Sequence, residues 1–412
     1  MEKVSQRDRD ILRELAQRKL GLANCQRNDE ILSMWEKQAK GVRDTPTVRL
    51  LFSNFRGEVV ENRLRCEGAD AKKLERQLLS SMVGRELFDD DTPVSDRFEV
   101  PVWEWASPFG ASPKRVRAKS GMGFHIEPLT DDIEADFHLF EGGNYWARLN
   151  ETKEWCAYVD EVIGDILPSV IVQNSLTGAI TNPLVHLIGM ENYYMAMYDS
   201  PETLHKIMDM ATRVYEDYYD YLEKNKLLYP SNGFAGLAQE SFAFTDELPD
   251  KGEITSVGQV WGFLESQETT AVSPETFGEF VFPYQDRLVK RFGLLSYGCC
   301  ERVDAIWEDY LSKWDNLRKL SVSPFNNEAQ VGEYLRGSRV VFYSKPRAEY
   351  VTNRGPLDED AILKYFKGVA EAASGCLFEV AQREVGTIFG DYERGRRYVE
   401  FAKQAIAEHW KP

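Results

Sequence analysis

The stretch Ser273–Glu301, SPETFGEFVFPYQDRLVKRFGLLSYGCCE, decides the fold class because a helical pattern leads directly into a short apolar strand. Its first three residues are typical of a helix start, with an N-cap, a proline at the first helical position and an early acid. Pro283 should kink or restart that helix. The apolar run Gly293–Tyr297 then predicts a buried strand.

Similar apolar runs alternate with helical patterns from residue 98 onward. They give eight predicted strands: Val100–Trp105, Ser169–Asn174, Gly233–Leu237, Gln259–Glu265, Gly293–Tyr297, Leu317–Val322, Val340–Ser344 and Cys376–Ala381. This alternation is typical of βα units, so we predict an α/β fold, a (β/α)8 TIM barrel over residues 98–412. Residues 1–97 have a mainly helical pattern with one strand-like run at Thr47–Phe52, and we predict that they form an N-terminal extension.

The charge balance limits the partners. The 412 residues carry a net charge of −17, from 50 Lys and Arg against 67 Asp and Glu, which disfavours nucleic acid. The basic run Lys114–Lys119 is more simply a solvated loop than a phosphate clamp. No apolar run approaches the ~18 residues of a membrane span, and the first residues lack the core of a signal peptide. We therefore predict a cytoplasmic protein whose six cysteines are reduced.

The segment Tyr297–Glu301 carries two adjacent thiols and a carboxylate directly after a predicted strand. In (β/α)8 barrels, reactive groups lie at the C-terminal ends of the strands and in the loops after them. Cys299, Cys300 and Glu301 could therefore bind zinc, which takes thiolate and carboxylate ligands. A buried structural pair and a redox-active or nucleophilic thiol are the other interpretations, and the spacing leaves all three open.

Three more charged side chains follow predicted strands. Glu265 and Glu268 end the fourth strand, where a carboxylate can be a metal ligand or a general base. Ion-paired surface glutamates are an equally good interpretation. Lys345 follows the seventh strand and could anchor an anionic substrate or pair with those carboxylates. We name Glu268, Tyr297 and Lys345 as candidate catalytic residues.

Several of these segments together resemble the uroporphyrinogen decarboxylase superfamily over roughly residues 98–410. The matching stretches are Gly189–Glu191 running into Met197–Leu204, Val272–Phe280 with Pro283 and Tyr284, and the strand leading to Tyr297–Glu301. The resemblance implies a (β/α)8 barrel. The superfamily contains porphyrinogen decarboxylases and zinc-dependent methyltransferases that exchange methyl groups with corrinoid proteins. The decarboxylases hold their acidic tetrapyrrole with an arginine-rich segment, and this chain has Val100–Trp105 instead. The net charge also makes a polyanionic substrate a poor fit.

The methyltransferase branch carries His-x-Cys-Gly after the equivalent strand and another Cys near the last strand. Here Tyr297 stands at the His position, Cys299 matches the Cys and Cys300 replaces the Gly. Cys376 starts the last predicted strand, which puts it on the barrel floor. The resemblance therefore implies a variant zinc site, drawn from Cys299 or Cys300, Glu301, and one of Glu265 and Glu268.

Three hypotheses follow. The first is a zinc-dependent methyltransferase that moves a methyl group between a small methylated substrate and a corrinoid. No corrinoid-binding module is visible in this chain, so a partner protein would supply that cofactor in trans. The second is a metal-independent decarboxylase or lyase of the same superfamily, which acts on a small carboxylate through Lys345, Glu268 and Tyr297. The third is a non-catalytic binding barrel.

Overall fold

The computed structural model of the chain describes residues 1–117 and 124–412. Ala118 and Lys119 of the basic run therefore lie outside the described residues. The strands in the described part are β1 Thr47–Leu50, β2 Phe98–Pro101, β3 Glu104–Ser107, β4 Lys114–Arg117, β5 Phe124–Glu127, β6 Asn144–Ala147, β7 Ser169–Val172, β8 Leu176–Thr177, β9 Gly233–Leu237, β10 Ser241–Ala243, β11 Trp261–Leu264, β12 Leu294–Tyr297, β13 Leu317–Val322, β14 Val341–Ser344 and β15 Leu377–Gln382.

The helices surround these strands. They are α1 Gln6–Ala23, α2 Gln26–Ala39, α3 Arg56–Val59, α4 Ala69–Ser80, α5 Leu149–Ile163, α6 Thr181–Ile188, α7 Met190–Asp199, α8 Pro201–Lys224, α9 Pro274–Phe280, α10 Phe282–Val289, α11 Val303–Ile306, α12 Glu328–Leu335, α13 Glu349–Thr352, α14 Glu359–Ala372 and α15 Tyr392–His409. The predicted helix start before α9 is present: the Ser273 side chain accepts a hydrogen bond from the Thr276 N–H. The chain then breaks at Val281 and restarts as α10 with Pro283 in its first turn.

A seven-stranded parallel sheet forms the centre of this mixed α/β fold. Its strands follow the order β1-β15-β14-β13-β12-β11-β8. All residues of β1, β11, β12, β14 and β15 are buried, as is usual for a parallel sheet covered by helices. The carboxyl ends of β12 to β15 therefore lie side by side, and the loops that follow them meet at one edge.

All eight predicted strands overlap observed ones, but three of them lie outside the seven-stranded sheet. Val100–Trp105 overlaps β2 and β3, and β2 pairs with β7, which overlaps Ser169–Asn174. Gly233–Leu237 is β9, which pairs antiparallel with β10 outside the seven-stranded sheet. The strand-like run in the predicted N-terminal extension is β1, which pairs parallel with β15 at the edge of that sheet. Residues 1–97 thus contribute one strand to the sheet, and a domain boundary near residue 97 stays a prediction.

The remaining strands form short pairs. β2 pairs with β7 in parallel, whereas β3 with β6 and β4 with β5 are antiparallel. Helix α2 lies against the sheet through Trp35, whose ring contacts the Phe242 ring and lies 5.2 Å from the Lys319 ammonium. In the described part of the chain, no helix has both the length and the apolar character needed to span a membrane.

Candidate active site

A cavity of about 220 Å³ opens where the loops after β12, β13, β14 and β15 meet. Its wall includes Cys299 and Cys300 after β12, Phe325 after β13, Lys345 after β14, and Arg383 and Glu384 after β15. The sequence predicted that groups at these strand ends would converge, and the two thiols and Lys345 do. The wall combines soft nucleophilic atoms with cationic groups and with the carboxylates of Glu349 and Glu384.

The two thiols are neighbours in space as well as in sequence. The Sγ atoms of Cys299 and Cys300 lie 3.6 Å apart, and the Cys300 Sγ lies 3.9 Å from Glu384 Oε1. A hydrogen bond from the Cys299 thiol lowers the pKa of Cys300, and the positive charge of Lys345 acts in the same direction. The same hydrogen bond raises the pKa of Cys299, and burial raises it further. Cys300 is therefore the thiol that ionises first.

Gly298 makes the turn that presents these thiols. Its φ is +96°, a left-handed backbone conformation that side chains rarely adopt. A Cβ at this position would also lie only 3.2 Å from the Ser321 Cβ on the neighbouring strand. Glycine at this position therefore allows the chain to turn away from the end of β12 without a clash with β13.

Glu301 fixes the loop that carries the thiols. The Ser266 N–H donates to Glu301 Oε1 at 2.8 Å, and the Cys299 N–H donates to Oε2 at 2.6 Å. The side chain is almost fully buried, and this burial raises its pKa. Both carboxylate oxygens are thus directed at main-chain N–H groups of two adjacent loops. Glu301 positions Cys299, and it does not lie in the cavity wall.

Tyr297, Glu265 and Glu268 lie behind the cavity and outside its wall. The Tyr297 hydroxyl is fully buried and shares a hydrogen bond of 2.8 Å with Ser266 Oγ. Side chains alternate along a strand, and Tyr297 shares the face of Leu295, which packs in the large hydrophobic core. Burial raises the pKa of Glu265 well above its ordinary value, and the charges of Glu268 and Glu301 raise it further.

Glu268 is held by side chains of α6. Thr181 Oγ1 donates to Glu268 Oε2 at 2.8 Å, and Asn182 Nδ2 donates to Oε1 at 2.7 Å. The Tyr194 hydroxyl donates to its main-chain carbonyl at 2.8 Å. These bonds tie α6 and α7 to the loop after β11. The candidate base that we named from the sequence is therefore a fully hydrogen-bonded buried group in this structure.

Lys345 and Arg383 are two of the three cationic residues in the cavity wall, and Arg347 is the third. Lys345 Nζ donates to Gln239 Oε1 at 2.8 Å, and Arg383 Nη1 donates to the same oxygen. Burial lowers the pKa of Lys345, while the nearby Cys299 and Cys300 raise it. Gln239, Arg383 and Glu384 follow the predicted strands Gly233–Leu237 and Cys376–Ala381 in the sequence, but we did not select them as candidates. Their position at strand ends was the available signal.

Three residues at this edge have left-handed backbone conformations without being glycine. Gln239, Glu240 and Glu384 have φ values of +66°, +68° and +60°. Such conformations cost free energy and persist where the surrounding structure holds them, often at functional sites. All three adjoin Lys345 or Arg383 in space or in sequence, which supports a functional role for this edge.

A complete metal site is not formed in the described part of the chain. No group of three or more His, Cys, Asp and Glu side chains there is arranged to hold a metal ion. Of the four ligands predicted from the sequence, Cys299 and Cys300 lie in the cavity wall, whereas Glu301 and Glu265 lie behind it. Cys376 lies just before β15 and donates to the Gly332 carbonyl at 3.4 Å. It is at the end of β15 opposite Arg383.

Comparison with known proteins gives a likeness of fold. The chain matches no protein-family model and no curated protein sequence. It is similar to the solved structure of a methyltransferase from Methanosarcina mazei, at 13% sequence identity and a TM-score of 0.52. The similarity covers 92% of this chain and 98% of that chain. The two proteins therefore share their general architecture over nearly their full lengths.

Proposed function

We propose that this chain is a methyltransferase that moves a methyl group between a small methylated substrate and a corrinoid carried by a separate protein, with zinc as the activating metal. The observation that carries the proposal is the pair of thiols, whose Sγ atoms lie 3.6 Å apart in the cavity wall. Two thiolates on one tetrahedral zinc, each about 2.3 Å from the metal, are about 3.8 Å apart. The similarity in fold to a methyltransferase supports the same reaction class.

The donor set fits zinc in part. Cys299 and Cys300 supply two soft ligands at a suitable spacing, but the Glu301 oxygens already accept main-chain hydrogen bonds. Glu265 lies behind the wall and accepts a hydrogen bond of 3.1 Å from the Gln267 N–H. A zinc ion held by the two thiols would act as a Lewis acid on the thiol or ether heteroatom of the substrate.

The residues around the thiols prepare them for this role. Zinc binds thiolates, so it requires that both sulfurs lose their protons. The hydrogen bond to Cys300 and burial raise the pKa of Cys299, and the positive charge of Lys345 acts against them. For Cys300 the charge of Lys345 adds to the hydrogen bond from Cys299, which lowers the pKa. Glu301 holds the Cys299 main chain, and this contact keeps the loop in one conformation.

The competing proposal is a metal-independent decarboxylase or lyase that uses Lys345, Glu268 and Tyr297. Only Lys345 lies in the cavity wall. Glu268 and Tyr297 are engaged in buried hydrogen bonds behind it. We prefer methyl transfer because its key atoms, the two thiols, face the cavity.

We also propose that the sheet closes into a barrel of eight strands. Seven parallel strands already share one sheet, and β2 pairs in parallel with β7, which leads directly into β8 at the sheet edge. If β2 also met β1, the eight strands would be β1, β2, the continuous β7–β8 segment and β11 to β15. The cavity would then lie at the C-terminal mouth, where barrel enzymes carry out their chemistry.

Zinc titration tests the metal part of this proposal. Metal-free full-length chain is titrated with zinc in a calorimeter, and we expect one ion per chain. The Cys300→Ser and Cys299→Ser variants should each lose this binding, because either one removes half of the thiolate pair. The matched control is Cys25→Ser, at a half-buried thiol that donates to the Leu22 carbonyl and lies outside the cavity wall. Zinc binding that survives in the Cys299→Ser, Cys300→Ser double variant would contradict the proposal.

The reaction itself is followed by the change in corrinoid absorbance when a methylated thiol or ether is mixed with the chain and reduced cobalamin. We expect methyl transfer to depend on zinc and to fall in Cys300→Ser. Unchanged transfer in the presence of a chelator and in Cys299→Ser would overturn the zinc-dependent mechanism. Release of carbon dioxide from a small carboxylate under those conditions would favour the lyase instead.

A further inference from the structure

Two of the cationic groups of the cavity wall are held together by one neutral oxygen. Lys345 Nζ and Arg383 Nη1 both donate to Gln239 Oε1. Two donors on one acceptor lie no more than about two hydrogen-bond lengths, roughly 6 Å, apart. This spacing lets one planar anion reach both groups. The amide oxygen orients the cations without neutralising their charge, which a glutamate at this position would do.

These cations are poorly neutralised by the protein. Lys345 is only 6% exposed, and its Nζ donates to an amide oxygen instead of a carboxylate. The more distant charge of Glu301 still raises the pKa of Lys345, so the protein neutralises this cation in part. Arg383 has one carboxylate near it, with Nη2 at 3.9 Å from Glu240 Oε1, and that oxygen also accepts a hydrogen bond from Ser53. A buried charge is costly unless it is paired. An anion bound in the cavity would supply the missing partner.

The backbone around Gln239 is built to hold this arrangement. Gln239 and Glu240 are consecutive residues with left-handed φ values. The Tyr343 hydroxyl donates to the Gln239 carbonyl at 2.6 Å, and Arg49 Nη1 donates to the Glu240 carbonyl at 2.7 Å. Side chains from β14 and β1 thus hold this turn in its left-handed conformation. This turn holds the Gln239 amide oxygen between Lys345 and Arg383. Gln239 is therefore a positioning residue.

We propose that Lys345 and Arg383, oriented by Gln239, form a carboxylate subsite, so that the methyl-transfer substrate is a small carboxylic acid whose reacting heteroatom lies at Cys300. The substrate assignment rests on the proposed function, whereas the subsite itself does not. The cavity of about 220 Å³ is smaller than the ~300 Å³ at which pockets for drug-sized ligands begin, and it suits a small acid. The subsite and the thiols share this one cavity, so a short molecule spans both.

Affinity alkylation tests the subsite without zinc, corrinoid or turnover. Full-length chain with chelator is treated separately with iodoacetate and iodoacetamide, and labelling of each cysteine is measured by peptide mass spectrometry. With either reagent the Cys300 thiolate forms an S–C bond, the C–I bond breaks and iodide leaves. Iodoacetate carries a carboxylate where iodoacetamide carries an uncharged amide. We expect the iodoacetate-to-iodoacetamide rate ratio at Cys300 to exceed that at Cys25 by about tenfold or more, the contribution of one charge-assisted hydrogen bond.

Variants of Arg383 and Gln239 show whether these residues cause the preference of Cys300 for iodoacetate. Arg383→Gln and Gln239→Asn should lower the ratio at Cys300 to that at Cys25, and Arg383→Lys should restore part of it. The iodoacetamide rate in each variant reports whether the fold and the thiolate persist. Arg302→Gln is the matched control, because Arg302 carries the same charge on the loop of the two thiols but pairs with Asp304 at 2.6 Å. An equal ratio at Cys300 and Cys25 in the wild type, or an unchanged ratio in Arg383→Gln, would overturn the subsite. Failure of the zinc or methyl-transfer assays alone would leave it standing.

Discussion

Two charged clusters on the same strands differ in how their charge is balanced. The inner cluster pairs Lys319 of β13 with Glu379 of β15, with Nζ 2.7 Å from Oε2. Ser241 donates to Glu379 Oε1 at 2.7 Å, and Arg49 lies 4.0 Å from the same oxygen. The outer cluster, Lys345 and Arg383 around Gln239, lies just beyond β14 and β15 and has an amide where the inner one has a carboxylate.

The difference separates a structural network from a binding site. In the inner cluster, both members of the ion pair are fully buried, and each finds its partner within the protein. Such a pair fixes the relative positions of β13 and β15. The outer cluster retains positive charge at a cavity that also holds two thiols. A protein keeps an unbalanced buried cation where a ligand supplies the missing anion.

Gln239→Glu would convert the outer cluster into a copy of the inner one. The new carboxylate keeps the side-chain length and accepts from both Lys345 and Arg383, so the two cations become neutralised. We expect the free energy of unfolding to rise by about 1 kcal/mol or more, because a neutral acceptor of two cationic donors becomes an anionic one. The preference of Cys300 for iodoacetate should disappear. Denaturant unfolding and alkylation measure the two effects, and a variant that is less stable and still selective would break the comparison.

Much of this edge could be predicted from the sequence. Cys299, Cys300 and Lys345 directly follow predicted strands, and parallel strands bring their carboxyl ends to one edge. The roles of Glu301 and Glu268 could not be predicted, because their hydrogen-bond partners belong to other loops and helices whose approach depends on the tertiary fold. Likewise, nothing in the sequence marks Gln239 for a left-handed conformation, which glycine usually adopts.

The sheet shows the same limit. The run at Thr47–Phe52 has strand character, but its neighbours in sequence are helical, so the sequence predicted an appendage. Its pairing with β15 joins residues more than three hundred positions apart. For Tyr297, the period of two along β12 was available as a signal. This period puts the Tyr297 ring on the face of β12 opposite to that of Leu294 and Ser296. The face that carries Tyr297 packs in the core.

The pH dependence of Cys300 alkylation gives a smaller effect. The hydrogen bond from the Cys299 thiol holds the pKa of Cys300 below its ordinary value of 9.0. Its iodoacetamide rate should therefore reach half-maximum at a pH below that value. Cys299→Ala removes the donor that stabilises the thiolate, so the pKa rises and the profile moves to higher pH. Peptide mass spectrometry over a pH series measures the rate of Cys300 alkylation. A profile that does not move in Cys299→Ala would show that the two thiols are not coupled.

The most direct test of the difference between the clusters is the free energy of unfolding of Lys319→Met beside that of Lys345→Met, measured by denaturant titration. The substitution is the same, and both lysines are buried. Lys319→Met leaves Glu379 without its nearest cation, and we expect a loss of about 3 kcal/mol or more. Lys345→Met removes a cation whose hydrogen-bond acceptor is an amide oxygen, and we expect a change within about 1 kcal/mol or a gain in stability. Equal losses in the two variants would contradict the account.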